Sequence, residues 1–491
     1  MAFFIRGAAV KGESFQPGVA SLSAMIQAKR SSLPTATGLR TMPPRSAANL
    51  QFLIAAAVLL AALVLGGGQG TLGDSAVQLL ALGLVGVSLW RHVAEEAARL
   101  PRIAWLALLP CTLPLLQLLP IPESLWLLPE ARQALATELA AAPVDSAQRW
   151  SLVPLATERA LVWLLPAIAL YLSALQLDAG RRKALVGVLV AMAAVNVVLG
   201  LAQVAGGTDS ALRFYTITNP TEAVGFFANR NHLASLLVIA LPFVVVGTAR
   251  WLGQREEWNA GTVLGLLAGI GLLALLILGI AIARSRAGLL LGMLALLGSL
   301  PIVLGLRRRR GTRRVLAVAV ALGLTLAVQF ALFGILQRLE KDPLEDARFQ
   351  FLPVALETAD AHAPLGSGLG GFRRAFEAGE EAPGAVYINR AHNDYTELWV
   401  DAGPFSLIAI GGALIVLAVG IWRARRRGSP GAVALATAAG LGLTLVALHS
   451  LGDYPLRTTA VLAAAGFLAG MMLASPREIR LSPAPDGARL A

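Results

Sequence analysis

The feature that most constrains this chain is a series of apolar runs, each close to twenty residues long, separated by short tracts rich in arginine. They lie at about 49–66, 73–90, 103–120, 158–178, 184–205, 231–250, 261–283, 287–306, 315–337, 396–421, 430–448 and 456–474. A bilayer core about 30 Å thick is crossed by about 20 apolar residues in a helix, so each run has the length of one span. The predicted fold class is an all-α polytopic membrane protein of about 12 transmembrane helices. Composition agrees, with 56% hydrophobic and 14% charged residues, against roughly 25% charged in a soluble domain. The single cysteine, Cys111, excludes an intramolecular disulfide framework and a cysteine-rich metal site. A net charge of +12 could suggest nucleic acid, but the arginines cluster between apolar runs. That is the pattern of topology signals, so membrane lipids rather than nucleic acid are the expected surroundings.

One orientation accommodates every basic tract. With the N-terminus inside, Arg91 to Arg102, Arg181-Arg182-Lys183, Arg250 to Glu257, Arg307 to Arg314 and Arg423 to Arg427 all fall in the cytoplasm. Residues 1–48 lack the apolar core and cleavage site of a signal peptide and read as a flexible basic cytoplasmic tail. Residues 49–474 form the membrane domain and 475–491 a second cytoplasmic tail. The same orientation exports 121–157, 206–230 and a large loop, 338–395, between spans 9 and 10. That loop carries ten Asp or Glu against six Arg or Lys.

Ionisable groups near lipid are costly, so those that neither solubility nor sidedness requires mark candidate sites. Four stretches qualify. In Phe226 to Ala234, Asn229, Arg230, Asn231 and His232 open the sixth span from its outer end. Asn229 suits a helix cap and the free N–H groups of the first turn favour an anion; a capped helix with snorkelling ends is the other reading. Arg284-Ser285-Arg286 places two arginines in a short outer turn, against the sidedness rule. A bound anion is their natural counter-charge, and the guanidinium fork of Arg286 matches phosphate oxygens in pairs, whereas Arg284 also reads as an interfacial anchor. In Ala391-His392-Asn393-Asp394-Tyr395, His392 can take a proton from a sugar hydroxyl while Asp394 or Asn393 orients it or the acceptor. Asn393 and Asp394 are equally good helix caps, and spacing alone favours that role. The fourth stretch, His449 to Arg457, reads as an outer turn in which Asp453 caps the last helix and pairs with Arg457. Gly366-Ser367-Gly368-Leu369-Gly370-Gly371 formally satisfies a dinucleotide fingerprint, but it lacks the strand and the cytosolic setting and is expected to be a tight turn. The five histidines lie far apart without ligand spacing, so no metal site is expected.

Taken in order, Phe227 to His232, Ser285-Arg286-Ala287-Gly288, Arg348 followed by Pro364 to Gly370, Ala391 to Tyr395, and His449-Ser450 with Asp453 to Arg457 resemble the O-antigen ligase and O-antigen polymerase family of bacterial envelope glycosyltransferases. The resemblance covers about 220–460. It implies a periplasmic active face on the bacterial inner membrane, with the 338–395 loop periplasmic. The implied donor is a glycan on undecaprenyl diphosphate, and the acceptor a lipid-core or lipid-linked glycan. Neither a metal nor another cofactor is implied, so fixed cations must neutralise the leaving diphosphate. On this basis His392 is the catalytic candidate, as acceptor base or positioning group, and Arg286 and Arg230 are diphosphate contacts. Arg348, Asn229, Asn393, Asp394, His449 and Arg457 complete the expected substrate-binding set. His232 departs from the family pattern, which expects a less polar residue there.

The resemblance leaves ligase and polymerase open. A transporter or flippase of lipid-linked oligosaccharide is the alternative, and it would carry its polar groups near the bilayer midplane on broken helices. A cell-wall polymerase would need a catalytic carboxylate, and no loop carboxylate has better credentials than His392.

Overall fold

The computed structural model describes residues 44–68, 72–141, 148–255, 257–305, 347–379 and 390–474, with isolated helical positions between 317 and 332. Contacts divide the chain into Met1–Ala47 and Ala48–Ala491. Of the first unit only residues 44–47 are described, and they open a helix.

The longer helices, in chain order, are α1 (Pro44–Leu65), α2 (Leu72–Ala94), α3 (Glu130–Ala141), α4 (Pro154–Trp163), α5 (Leu165–Gln176), α6 (Ala179–Ala205), α7 (Arg230–Leu252), α8 (Ala260–Ile282), α9 (Arg286–Gly305), α10 (Ala347–Ala361), α11 (Phe372–Gly379), α12 (Asp394–Ala402), α13 (Ser406–Arg427), α14 (Pro430–His449) and α15 (Thr459–Leu473). Nine segments among the described residues are long and apolar enough to cross a membrane: α1, α2, α4 with α5, α6, α7, α8, α9, α12 with α13, and α14; α15 is apolar but shorter. The molecule is thus a polytopic helical bundle. The expected span at 315–337, the tract Arg307 to Arg314 and both tails beyond 44 and 474 lie outside the described residues, apart from the isolated positions noted. One expectation needs correction. Residues 103–120 do not form one helix but three short turns, Arg102–Leu106, Leu109–Thr112 and Leu113–Gln117. Pro110 and Pro114 fall inside the run, where each withholds a backbone N–H and crowds the preceding turn.

Local chemistry sets where the helices start. Asp178 accepts from Arg181 N, Asn259 from Thr262 N, Ser429 from Ala432 N and Asn393 from both Tyr395 N and Thr396 N. Each side chain satisfies donors that a first turn leaves open. Helix α7 is the axis of the bundle, with 89% of its apolar window buried. It is apolar on every face, as a helix surrounded by others must be, and packs against α8, α9 and α14. Helix α15 lies along α5 through Gly466 and Gly470, whose missing side chains admit the carbonyls of Ala167 and Tyr171. Small residues four apart are the usual means of close helix approach in lipid, where hydrophobic burial does not drive association.

The described part of the 338–395 loop is folded. Helices α10, α11 and α12 share a small core that includes Ala355, Ala359, Phe372, Phe376 and Val400. The glycine stretch forms the turn joining α10 to α11, with positive φ at Gly366, Gly368 and Gly370. A Cβ at Gly366 would lie 2.6 Å from the backbone of Asp401 and Ala402, so the turn needs glycine both for dihedral and for space. A helix, not a strand, precedes it. Buried Arg132 on α3 clamps the turn by donating to the carbonyls of Trp150 and Gly366 at 2.6 and 2.8 Å. Burial lowers its pKa to about 10.

Candidate active site

Four separate stretches of sequence meet at one end of the bundle, where α7, α9 and α12 begin and α14 ends. Asn231 in the first turn of α7 donates through Nδ2 to Asp453 Oδ2 at 2.5 Å, and one turn further Ser235 Oγ lies 2.8 Å from His449 Nδ1. Asp394 N donates to the carbonyls of Ser450 and Asp453 at 3.0 and 3.3 Å, which ties the start of α12 to the turn after α14. The α8–α9 hairpin joins through Ala223 N, which donates to Ile282 O at 3.2 Å. It also joins through Gly288, where a Cβ would stand 2.6 Å from that of Ala234. Only glycine lets α9 approach α7 that closely at its first turn.

At the centre, His392 Nδ1 lies 3.6 Å from Asp453 Oδ1, and the two rings His392 and His232 each meet Tyr454 edge-on at 5.0 Å. Asp453 is fully buried, whereas the His392 side chain keeps 26% of its surface exposed. One edge of the imidazole is therefore held near a carboxylate and the ring still reaches solvent. Burial, reinforced by Asp453, raises the Tyr454 phenol above its usual pKa, and Asn229 hydrogen-bonds to it. Asn229 also caps α7, accepting from Asn231 N at 2.8 Å. His232 is buried with no hydrogen-bond partner for either ring nitrogen among the described residues. His449 is as buried, so of the three histidines gathered here His392 is the exposed one.

Backbone strain singles out two positions. The positive-φ non-glycine residues among those described are Arg284, at 52°, and His392, at 51°. Both directly precede a helix-capping residue: Ser285 Oγ accepts from Gly288 N at 3.0 Å, as Asn393 caps α12. Such a backbone costs on the order of 1–3 kcal/mol and persists where the surroundings over-determine it, commonly at functional sites.

The arginines differ sharply in what surrounds them. Arg284 and Arg286 are exposed, and neither forms an ion pair with another described residue. Arg230 pairs with Glu222, and its N–H donates to Asn219 Oδ1 at 2.9 Å. Arg457 lies buried among Asp401, Glu397 and Asp394 at 3.3, 3.4 and 3.6 Å. Burial pulls its pKa down, but the three carboxylates outweigh that and raise it above the ordinary guanidinium range. Arg390 adds a second cation to Glu397. The expected substrate contact at Arg457 is thus an internal clamp between α12 and the final turn. Asp394, expected to orient His392, instead accepts from Ser450 Oγ at 2.7 Å and Leu456 N at 3.2 Å, and the orienting carboxylate is Asp453. Asn393 caps α12 and donates to Leu451 O at 3.0 Å. Arg348 sits in α10, but its side chain lies outside the described residues.

Sequence reasoning passed over Glu222, Glu397, Asp401 and Arg390. Asp394, Glu397 and Asp401 fall at i, i+3 and i+7, one face of a helix in an otherwise apolar run. That face signals a buried cation partner. Glu222 has no such signal, because a loop brings it to Arg230.

The fold and this cluster define a multi-pass helical membrane protein with its reactive groups at one end of the bundle. Residues 271–411 match the family model described as O-Antigen ligase, which supports an O-antigen ligase family and a role in polysaccharide biosynthesis. The match takes in Arg286, Arg348, His392, Asn393 and Asp394, and covers less than a third of the chain. No curated protein matches the chain.

Proposed function

We propose that the chain is a glycosyltransferase that moves a glycan from undecaprenyl diphosphate to a sugar hydroxyl at the periplasmic face of the bacterial inner membrane. The acceptor is a sugar of a lipid core or of another lipid-linked repeat. The observation that carries this reading is one half-open imidazole, His392, held beside buried Asp453 at the bundle end where Arg286 stands exposed. The acceptor hydroxyl gives its proton to His392 as its oxygen attacks the anomeric carbon. The anomeric C–O bond breaks and its electron pair leaves with the diphosphate. Arg286 balances the charge gathering on that leaving group, as a preorganised cation does best where water is scarce. Asp453 steadies the imidazolium, and Tyr454 supports the ring from its edge. Arg230 contributes as a second donor contact once Glu222 shares it. Arg348 remains a donor contact on the family resemblance.

The transporter reading fits less well. Its polar groups belong near the middle of broken helices, whereas His392, Arg286 and Arg230 occupy the first turns of helices or the turns before them. The two readings separate in one assay. Purified chain in liposomes holding undecaprenyl-diphosphate-linked glycan should release undecaprenyl diphosphate and lengthen a hydroxyl acceptor. Movement of intact donor across the bilayer with no cleavage would support transport and reject transfer.

A further inference from the structure

The opposite end of the bundle carries a different construction, independent of the reaction. A cavity of about 160 Å³ opens there among the ends of α6, α7, α13, α14 and α15, lined by Arg182, Lys183, Arg250 and Arg423. A second space of about 430 Å³ adjoins it and shares Lys183, Val186, Arg250 and Leu435. The rest of that second lining is mainly apolar and includes Val190, Phe243, Val244 and Leu272. No acidic residue among those described lines either space. Gly431 in the first turn of α14 makes room for the Arg250 guanidinium, which lies directly against it. The N–H groups of that turn, opening beside Ser429, reinforce an environment that favours an anion.

Four cations facing one small space repel one another and gain from a shared counter-ion. An apolar groove continuing from that space requires that the anion carry a hydrocarbon chain. We propose that the two spaces together hold one anionic phospholipid, its phosphate among Arg182, Lys183, Arg250 and Arg423 and an acyl chain along Val190, Phe243 and Leu272. Basic pockets between helix ends are the established form of such headgroup recognition. A free inorganic anion would use the cations but leave the groove unfilled.

The test titrates the purified full chain with phosphatidylglycerol and with phosphatidylcholine of the same acyl chains, counting retained lipid by native mass spectrometry. Phosphatidylglycerol should be retained preferentially. Lys183→Gln, at an exposed side chain, should weaken retention about fivefold, and Lys183→Gln with Arg250→Gln about fivefold further. Val190→Trp fills the groove without touching a charge and should weaken phosphatidylglycerol as well. Inorganic phosphate at millimolar concentration should not displace it. Equal retention of the two lipids, wild-type retention by Lys183→Gln and Val190→Trp together, or displacement by phosphate alone would each overturn the proposal.

Discussion

His392 and Arg284 share a backbone conformation that their residue types disfavour, and each stands immediately before a capped helix. The cost is tolerable only because the cap, the following helix and the neighbouring turn fix the chain on both sides. For His392 this yields a direct expectation. His392→Gly removes the φ penalty and one ring contact with Tyr454, effects of comparable size, so the thermal midpoint in detergent should move little while transfer is lost. A large fall in the midpoint with transfer retained would make the residue structural. Asp453 is the positioning residue for the imidazole. Asp453→Asn should lower kcat by at least ~10-fold, and by less than the ~10⁴-fold seen when the orienting carboxylate of a serine-protease triad becomes an amide, because 3.6 Å is longer than a direct hydrogen bond. Donor KM should stay near wild type, and a shift confined to KM would contradict the role. At this scale the sequence was partly readable. Arg286 stood out as a cation on the wrong side of a hairpin, and His392 as a histidine at a loop end. The partnership of His392 with Asp453, 61 positions later, and of Arg230 with Glu222 depends on tertiary contact that no spacing encodes.

Two helix contacts control how the site is assembled. Helix α12 presents Asp394, Glu397 and Asp401 along one face to Arg457, so the start of α12 is latched to the turn that carries Asp453 and Tyr454. Arg457→Met would strand buried carboxylates and should destabilise the protein by about 3–5 kcal/mol, read as a lowered thermal midpoint in detergent. An unchanged midpoint would show that the latch contributes nothing. The α5–α15 contact works by closeness instead of charge. Gly470→Leu must push aside the Tyr171 carbonyl and should cost about 1–3 kcal/mol, whereas substitution at Gly271, which faces open space, should be neutral. Most helices were legible as apolar runs with Asn, Asp or Ser at their starts. The run 103–120 was not, because mean apolarity hides the prolines that break it, and the folded state of the loop was not, because a core of seven residues drawn from three short helices leaves no periodic trace.

Across the whole molecule the two ends of the bundle are chemically opposite. One end gathers the histidine cluster, the carboxylate latch and the exposed hairpin arginines; the other gathers Arg182, Lys183, Arg250 and Arg423 around an apolar-backed cavity. The positive-inside rule assigns the second end to the cytoplasm and so exports the first. Reporter fusions after Arg310 and after Gly384 should therefore report opposite sides of the membrane, and the same side for both would refute the assignment. The central claim is that His392 acts on the acceptor while the arginines hold the donor. Its most direct measurement compares donor binding with transfer in purified His392→Ala, using undecaprenyl-diphosphate-linked glycan and a hydroxyl acceptor. The account predicts that donor Kd stays within about twofold of wild type while the transfer rate falls by roughly 10²- to 10⁴-fold, the range for loss of a general base. Loss of donor binding, or transfer at the wild-type rate, would contradict it.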